Sequence, residues 1–418
     1  MKRIMKRLVA YFKKETVLCI AAILAVISVF FVHPDSQYPG YLDYRTLALL
    51  FSLMTIMEGF KQTGFFGKVA QALLAKVHTF RQLYLVLVML CFFCSMWITN
   101  DVSLLTFVPF TILVLELAGL QKEMIPVIVM QTIAANLGSM MTPVGNPQNL
   151  YLYSVSGMGM GQFLMILGPL SLLSFLMILG ACVAHKNFPL DSERLKSEML
   201  ASHTDTKTQK ATADHAFANV KTQDRPAGKR HSEKDQSRYQ NLLLAVLFLF
   251  SLLSVFRVLE WPLLLLIVLI GCLLLSGLFH STFLPRNVDY SLLLTFIAFF
   301  IFIGNMKRMD LVRDLLNQLL TGRELFVSFA CSQVISNVPA AILLSGFTDQ
   351  YAALLRGVNI GGLGTLIASL ASLISYKFFA ESQEHFPEAG TKQQYLIRFT
   401  VWNFGMAVIL LLAAVILG

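Results

Sequence analysis

Charge is what this sequence lacks. Of its 418 residues only 14% are Asp, Glu, Lys or Arg, against roughly 25% in a soluble globular domain. So few charges cannot clothe a water-facing surface of this size, which excludes a soluble enzyme or binding domain as the whole chain. Cysteine is also sparse. Cys19, Cys91, Cys94, Cys182, Cys272 and Cys331 all fall in apolar stretches with no His partner nearby, so neither a disulfide framework nor a zinc site is expected. The CFFC at 91–94 reads as ordinary helix packing rather than a redox or metal motif. No HExxH, GxSxG or phosphate-binding loop occurs, so no catalytic group and no cofactor is expected. The 33 Lys and Arg outnumber the 24 Asp and Glu, giving +9. Basic residues held on the cytoplasmic side of a membrane explain that surplus without nucleic acid.

What the chain has instead is apolar length. Hydrophobic residues make up 56% of it. Nearly uncharged runs at 16–33, 44–60, 163–184, 241–256, 262–279, 288–306 and 395–418 approach the roughly 17 to 25 residues that span a bilayer. Further runs at 82–98, 102–118, 124–142 and 324–380 are interrupted by polar residues. These runs predict an all-α polytopic membrane protein of about 9 crossings plus two hairpins, with roughly 10 to 12 hydrophobic helices in all. The basic N-terminus MKRIMKRLVAYFKKE precedes an apolar run that ends in HPDSQYPG rather than a small-residue cleavage site. A retained first helix with a cytoplasmic N-terminus follows.

The order of features repeats. Asp43-Tyr44 opens one apolar run and Asp289-Tyr290 another. Short amphipathic stretches follow at 66–77 and 312–320, then Asn-broken runs at 97–110 and 334–347. The domains are therefore a first membrane repeat at 1–184, a polar linker at 185–240, an extra crossing helix at 241–261 and a second repeat at 262–418. The linker, with mixed charge and scattered His185, His203, His215 and His231, cannot form a core and is expected to be flexible rather than metal-sensing. Counting crossings from the cytoplasm gives the second repeat the inverse orientation. That topology leaves outside only Arg45, Arg257, Lys307, Arg308, Arg313, Arg323 and Arg356, with an uncomfortable cluster at 307–323.

Residues 136–150 read NLGSMMTPVGNPQNL. Within hydrocarbon an unpaired backbone N–H or C=O costs several kcal/mol, so a broken helix survives only where it lines a cavity or is buried in protein. Pro143 and Pro147 each remove a donor, and Gly138 and Gly145 permit turns, so the helix is expected to open here. Opened backbone offers carbonyls to a cation, and a half-helix N-terminus offers N–H groups to an anion. Asn136, Thr142, Asn146, Gln148 and Asn149 add neutral donors and acceptors. A plain interhelical loop has a similar composition. Against it stands a partner in the second half, VNIGGLGTLIASLAS at 358–372, where Asn359, Gly361 and Thr365 match Asn136, Gly138 and Thr142, and Gly364 also shapes the backbone.

Thr99-Asn100-Asp101 and Ser336-Asn337-Val338-Pro339 are the expected hairpin tips. Each sets a hydroxyl beside an amide at a helix break, a ligand set for Na+ or for a substrate oxygen. Asp101 is the one carboxylate among these features, a candidate to bind a cation or carry a proton. It could instead lie in an aqueous loop or cap a helix starting near Val102. Glu58 and Glu116 lie near helix ends, and Lys377 has the reach to snorkel.

In TNDVSLLTFVPF (99–110), NLGSMMTPVGNPQNL (136–150), SNVPAAILL (336–344) and NIGGLGTLIASLASLI (359–374) the chain resembles the ion transporter superfamily. That group includes arsenite permeases, citrate-metal symporters, sodium/proton antiporters and divalent anion symporters. The likeness spans nearly the whole membrane portion, omits the linker and is nearest an uncharacterised anion permease branch. It implies an inverted-repeat, elevator-type carrier with two re-entrant hairpins, a scaffold that forms a homodimer, and a small anionic solute coupled to H+ or Na+. In the divalent anion symporters a Ser-Asn-Thr triplet at each tip contacts sodium and substrate, and here neither triplet is intact. Asn100, Asn136, Asn337 and Asn359 are the expected ligands of substrate or co-ion, and Asp101 is expected to carry or bind the cation. The expected function is an ion-coupled anion permease of the bacterial inner membrane, with a sodium/proton antiporter of the same superfamily as the alternative.

Overall fold

Apolar segments with no water to satisfy their backbone close into helices. The computed structural model is helical throughout, and it describes residues 15–74, 77–190, 227–279 and 284–418. Among these, seven helices are long and apolar enough to cross a membrane and four shorter apolar helices accompany them. The protein is an all-α polytopic membrane protein.

The first half holds α1 (Thr16–Phe31), α2 (Tyr44–Gln62), α3 (Phe65–Leu74), α4 (Phe80–Ile98), α5 (Asn100–Leu117), α6 (Met124–Gly138), α7 (Pro147–Ser156) and α8 (Met160–Ala184). The second half follows α9 (Ala227–Val255) with α10 (Trp261–Phe279), α11 (Tyr290–Lys307), α12 (Asp310–Leu320), α13 (Glu324–Ile335), α14 (Asn337–Leu344), α15 (Tyr351–Ile360), α16 (Leu370–His385) and α17 (Lys392–Ile416). The paired Asp-Tyr openings are paired N-caps. Asp43 accepts from Thr46 N and Asp289 from Leu292 N, each at 3.1 Å, which satisfies a backbone donor left free by the first turn.

The helix breaks are paired as well. Thr99, between α4 and α5, has φ 69° and ψ 151°; Ser336, between α13 and α14, has φ 73° and ψ 155°. Residues other than glycine seldom adopt positive φ, so two breaks of the same shape mark one device used twice. Packing keeps the correspondence: α4 lies on α6 as α13 lies on α15, while α5 packs on α16 and α14 on α7. Each hairpin thus rests its second arm on a helix of the other half. Every residue of α6 is buried, which puts that helix at the centre of the molecule.

At the 185–190 end the structure departs from a linker beginning at His185. Phe80 N donates to Phe188 O and Leu190 N to His78 O, each at 3.0 Å, and the rings of Phe188 and Phe80 stack at 4.8 Å. His185 Nε2 meets Glu123 Oε2 at 3.0 Å. Residues 185–190 therefore form a strap across the start of α4, because Phe188 brings an apolar ring into an otherwise polar stretch. The rest of the expected linker is bounded by α9, already helical at Ala227; residues 191–226, with His203 and His215, lie outside the described residues.

Candidate functional site

Asn136 sits in the last turn of α6, and its side chain joins both halves. Asn136 Oδ1 accepts from Asn100 Nδ2 and from Ser369 Oγ, each at 3.0 Å. Its Nδ2 donates to Ser372 Oγ at 3.3 Å and Gly362 O at 3.4 Å. Asn359, at the matching place on α15, reaches the other way: its Nδ2 donates to Asn149 Oδ1 at 2.6 Å, and its Oδ1 accepts from Asn146 Nδ2 at 3.3 Å. Ser369 and Ser372 stand where the first half has Asn146 and Asn149, so the two sets occupy matching places in the two halves. Each broken helix is bound to the opened segment of the other half.

The opened segments keep the same logic. After α6 come two single turns of 3-10 helix, Ser139–Met141 and Pro143–Gly145, before Asn146 caps α7 by accepting from Asn149 N at 2.9 Å. Thr142 Oγ1 donates to Met96 O on hairpin 1, and Thr365 Oγ1 donates to Gln333 O on hairpin 2. Gly138 is required by proximity, since a Cβ there would collide with Phe92 O and Ser95 Oγ; at Gly361 it would meet Ser332 Oγ at 2.6 Å. A Cβ on Gly145 would collide with Ser139 O, and Pro143 starts its 3-10 turn where no N–H is needed. Sequence matching paired these glycines and threonines, and the structure gives each pair one task.

The two tips meet. Asn100 Nδ2 lies 3.5 Å from Ser369 Oγ, while Asn337 N and Ser336 Oγ donate to Ala368 O at 3.0 and 3.3 Å. Hairpin 1 is rooted beside Glu123 and His185; hairpin 2 is rooted where Glu324 Oε1 accepts from Thr348 Oγ1. The tips converge from these separate roots on adjacent residues.

Three features of this junction are unsatisfied. Asn100 is 5% exposed and its Oδ1 has no hydrogen-bond partner. Thr99 and Ser336 place no side-chain cap on α5 and α14; at α14 Asn337 N is taken by Ala368 O and Pro339 has no N–H, so the free first-turn N–H groups lie mainly at α5, with the positive dipole end. Asp101, in the first turn of α5 and not its cap, makes no hydrogen bond or ion pair among the described residues. The junction therefore offers an orphan acceptor and open donors, and Asp101 lies in the same first turn of α5. No group of three His, Cys, Asp or Glu placed to hold a metal ion occurs among the described residues.

Sequence reasoning passed over Gln333. It lies three residues before Ser336 and brackets the second opened segment; a lone amide in the apolar run CSQVISN was the available signal.

The family model for citrate transporters matches residues 3–355, taking in both tips and the first opened segment. The chain belongs to the citrate transporter family. Like others of that family it is a transporter, within the wider ion transporter superfamily that its motifs resemble. It is 29% identical over 338 residues to an uncharacterized transporter of Methanocaldococcus jannaschii, covering 80% of this chain and 81% of that one. It is 28% identical over 357 residues to the inner membrane protein YbiR of Escherichia coli, covering 84% of each chain. A stretch of 141 residues is 30% identical to part of the P protein of Homo sapiens, 32% of this chain and 16% of that one.

Proposed function

We propose that this citrate-transporter-family protein is a secondary active transporter that moves a small inorganic or organic anion through the junction of its two halves, coupled to H+ or Na+. The observation that carries the proposal is Asn100 Oδ1, an acceptor buried without a partner beside Asn136 and Ser369, on which the first tip converges. A buried polar atom left unpaired costs about 1–3 kcal/mol, a penalty relieved when a ligand donor or a cation arrives. The uncapped start of α5 suits the anion's oxygens, and Asp101 in its first turn suits the cation, with Asn337 within the same junction. The cross-bonded tips and opened segments form one body, which suits elevator-type alternating access. The excess of Lys and Arg on one side favours a cytoplasmic N-terminus, and the likeness to an inner membrane protein favours that membrane. A homodimer built on the helices outside the junction completes the proposal.

The test is a panel of radiolabelled anions, citrate among them, offered to proteoliposomes under separately imposed Na+ and pH gradients. Accumulation of one anion under one gradient is expected; none under either gradient overturns the proposal. The unpartnered Asp101 also favours a sodium/proton antiporter without an anion. In everted vesicles that alternative predicts dequenching of a pH dye by Na+ alone, unchanged across the anion panel and lost in Asp101→Asn.

A further inference from the structure

The two opened segments are held by different means. In the second half, Gln333 Nε2 donates to Gly361 O at 3.0 Å and Leu363 O at 2.9 Å, while its Oε1 accepts from Thr365 N at 2.9 Å. Gly364, at φ +113°, has no Cβ because the Gln333 amide fills that space. In the first half the matching residue is Met96. Its backbone oxygen takes the threonine hydroxyl as Gln333 O does, but a thioether cannot donate to carbonyls. There the amide comes instead from Asn149, whose Nδ2 is spread over Ser139 O, Met140 O and Thr142 O at 3.4, 3.4 and 3.2 Å. Those lengths are at the weak limit of hydrogen bonding, whereas the three Gln333 bonds to the opened segment are of ordinary length, only its bond to Phe329 O on its own helix being 3.4 Å.

We infer that Gln333 is a positioning residue that fixes the second opened segment to hairpin 2 with its amide nitrogen in the place a cation would take, leaving the coupling ion to the first half. Carbonyl oxygens turned toward one point are cation ligands, and an N–H donor directed at the same two oxygens consumes them. Gly361 and Leu363 are therefore not open to an ion while Gln333 is in place. The first half's carbonyls are held by the long Asn149 bonds, and hairpin 1 carries the orphan Asn100 Oδ1 and Asp101. Two halves of one repeat thus carry one ion site. Hairpin 2 and its opened segment form a single unit with the Gln333 amide as the joint.

The inference rests on the transport proposal for its functional part, and hydrogen exchange separates the two. Purified protein is compared with Gln333→Met, the first-half residue, and with Gln333→Glu, which keeps the acceptor for Thr365 N but turns a carboxylate on the two carbonyls. In Gln333→Met, exchange across 361–366 rises about tenfold, as expected for loss of one to two ordinary hydrogen bonds, while exchange across 139–145 is unchanged. In Gln333→Glu, replacing choline chloride by NaCl slows exchange across 361–366, because the carboxylate now recruits the cation. Wild type shows no such sodium effect in that segment. Unchanged exchange in Gln333→Met, or sodium protection of 361–366 in wild type equal to that in Gln333→Glu, overturns the inference. Uptake of radiolabelled citrate is measured alongside, with KM rising more than Vmax falls in Gln333→Met. If wild type accumulates neither citrate nor another anion, the transport proposal falls while the exchange data still decide the role of Gln333.

Discussion

Asn100 and Asn136 share one hydrogen bond, Nδ2 to Oδ1 at 3.0 Å, across the tip of hairpin 1 and the broken end of α6. The bond leaves Asn100 Oδ1 free while Asn136 extends to Ser369, Ser372 and Gly362 of the other half. Asn136 is a structural crossing point, and Asn100 beside it keeps an unpaired acceptor.

Asn136→Leu should therefore act mainly on folding. It strands the Asn100 amide and the Ser369 and Ser372 hydroxyls in a buried site, at about 1–3 kcal/mol for each group that finds no substitute. A lowered thermal midpoint in detergent is expected. A stability equal to wild type would show that the crossing bonds carry little.

The glycines separate by what they touch. Gly361→Ala meets the Ser332 side chain at 2.6 Å and Gly357 O at 2.8 Å, so Ser332→Gly should recover only part of the loss of about 1–3 kcal/mol. Gly138→Ala meets the backbone oxygen of Phe92 as well as Ser95 Oγ, so Ser95→Gly should not rescue it. Thermal unfolding of the four variants distinguishes the cases.

Asp101→Asn should leave stability within about 0.5 kcal/mol of wild type, because no hydrogen bond or ion pair is lost. Its effect belongs to coupling: uptake driven by the effective gradient should fall to the level of exchange without a gradient. A large stability loss with coupling intact would reverse that assignment.

The strap over the start of α4 gives a local prediction. Phe188→Ala removes the ring stacked on Phe80, worth about 1 kcal/mol beyond its area. It should raise amide exchange at Phe80, whose N–H donates to Phe188 O, without altering the junction. Unchanged exchange at Phe80 would mean that the backbone bonds alone hold the strap.

Much of this was legible in the sequence for physical reasons that can be named. Asp43 and Asp289 announced helix starts because a short acceptor beside an apolar run has one favourable use. Pro143, Gly138 and Gly145 announced the break because a membrane helix tolerates them only where backbone is otherwise satisfied. What the sequence concealed were partnerships across the two halves. The spacing of Asn136 within its own segment says nothing of Ser369, 233 residues away. The exchange of Asn149 for Gln333 as the holder of an opened segment is equally hidden, because the two residues occupy different places in the repeat. Phe188 was masked by the charges around it, and the helix from Ala227 by a polar composition that offered no apolar face.

The account turns on Asn100. The most direct measurement is gradient-driven anion accumulation by proteoliposomes bearing wild type or Asn100→Ala, at matched protein density and matched thermal midpoint. The account predicts that wild type accumulates one anion of the panel and that Asn100→Ala, folded to the same extent, does not. Accumulation by Asn100→Ala at the wild-type rate and with the wild-type KM would contradict it.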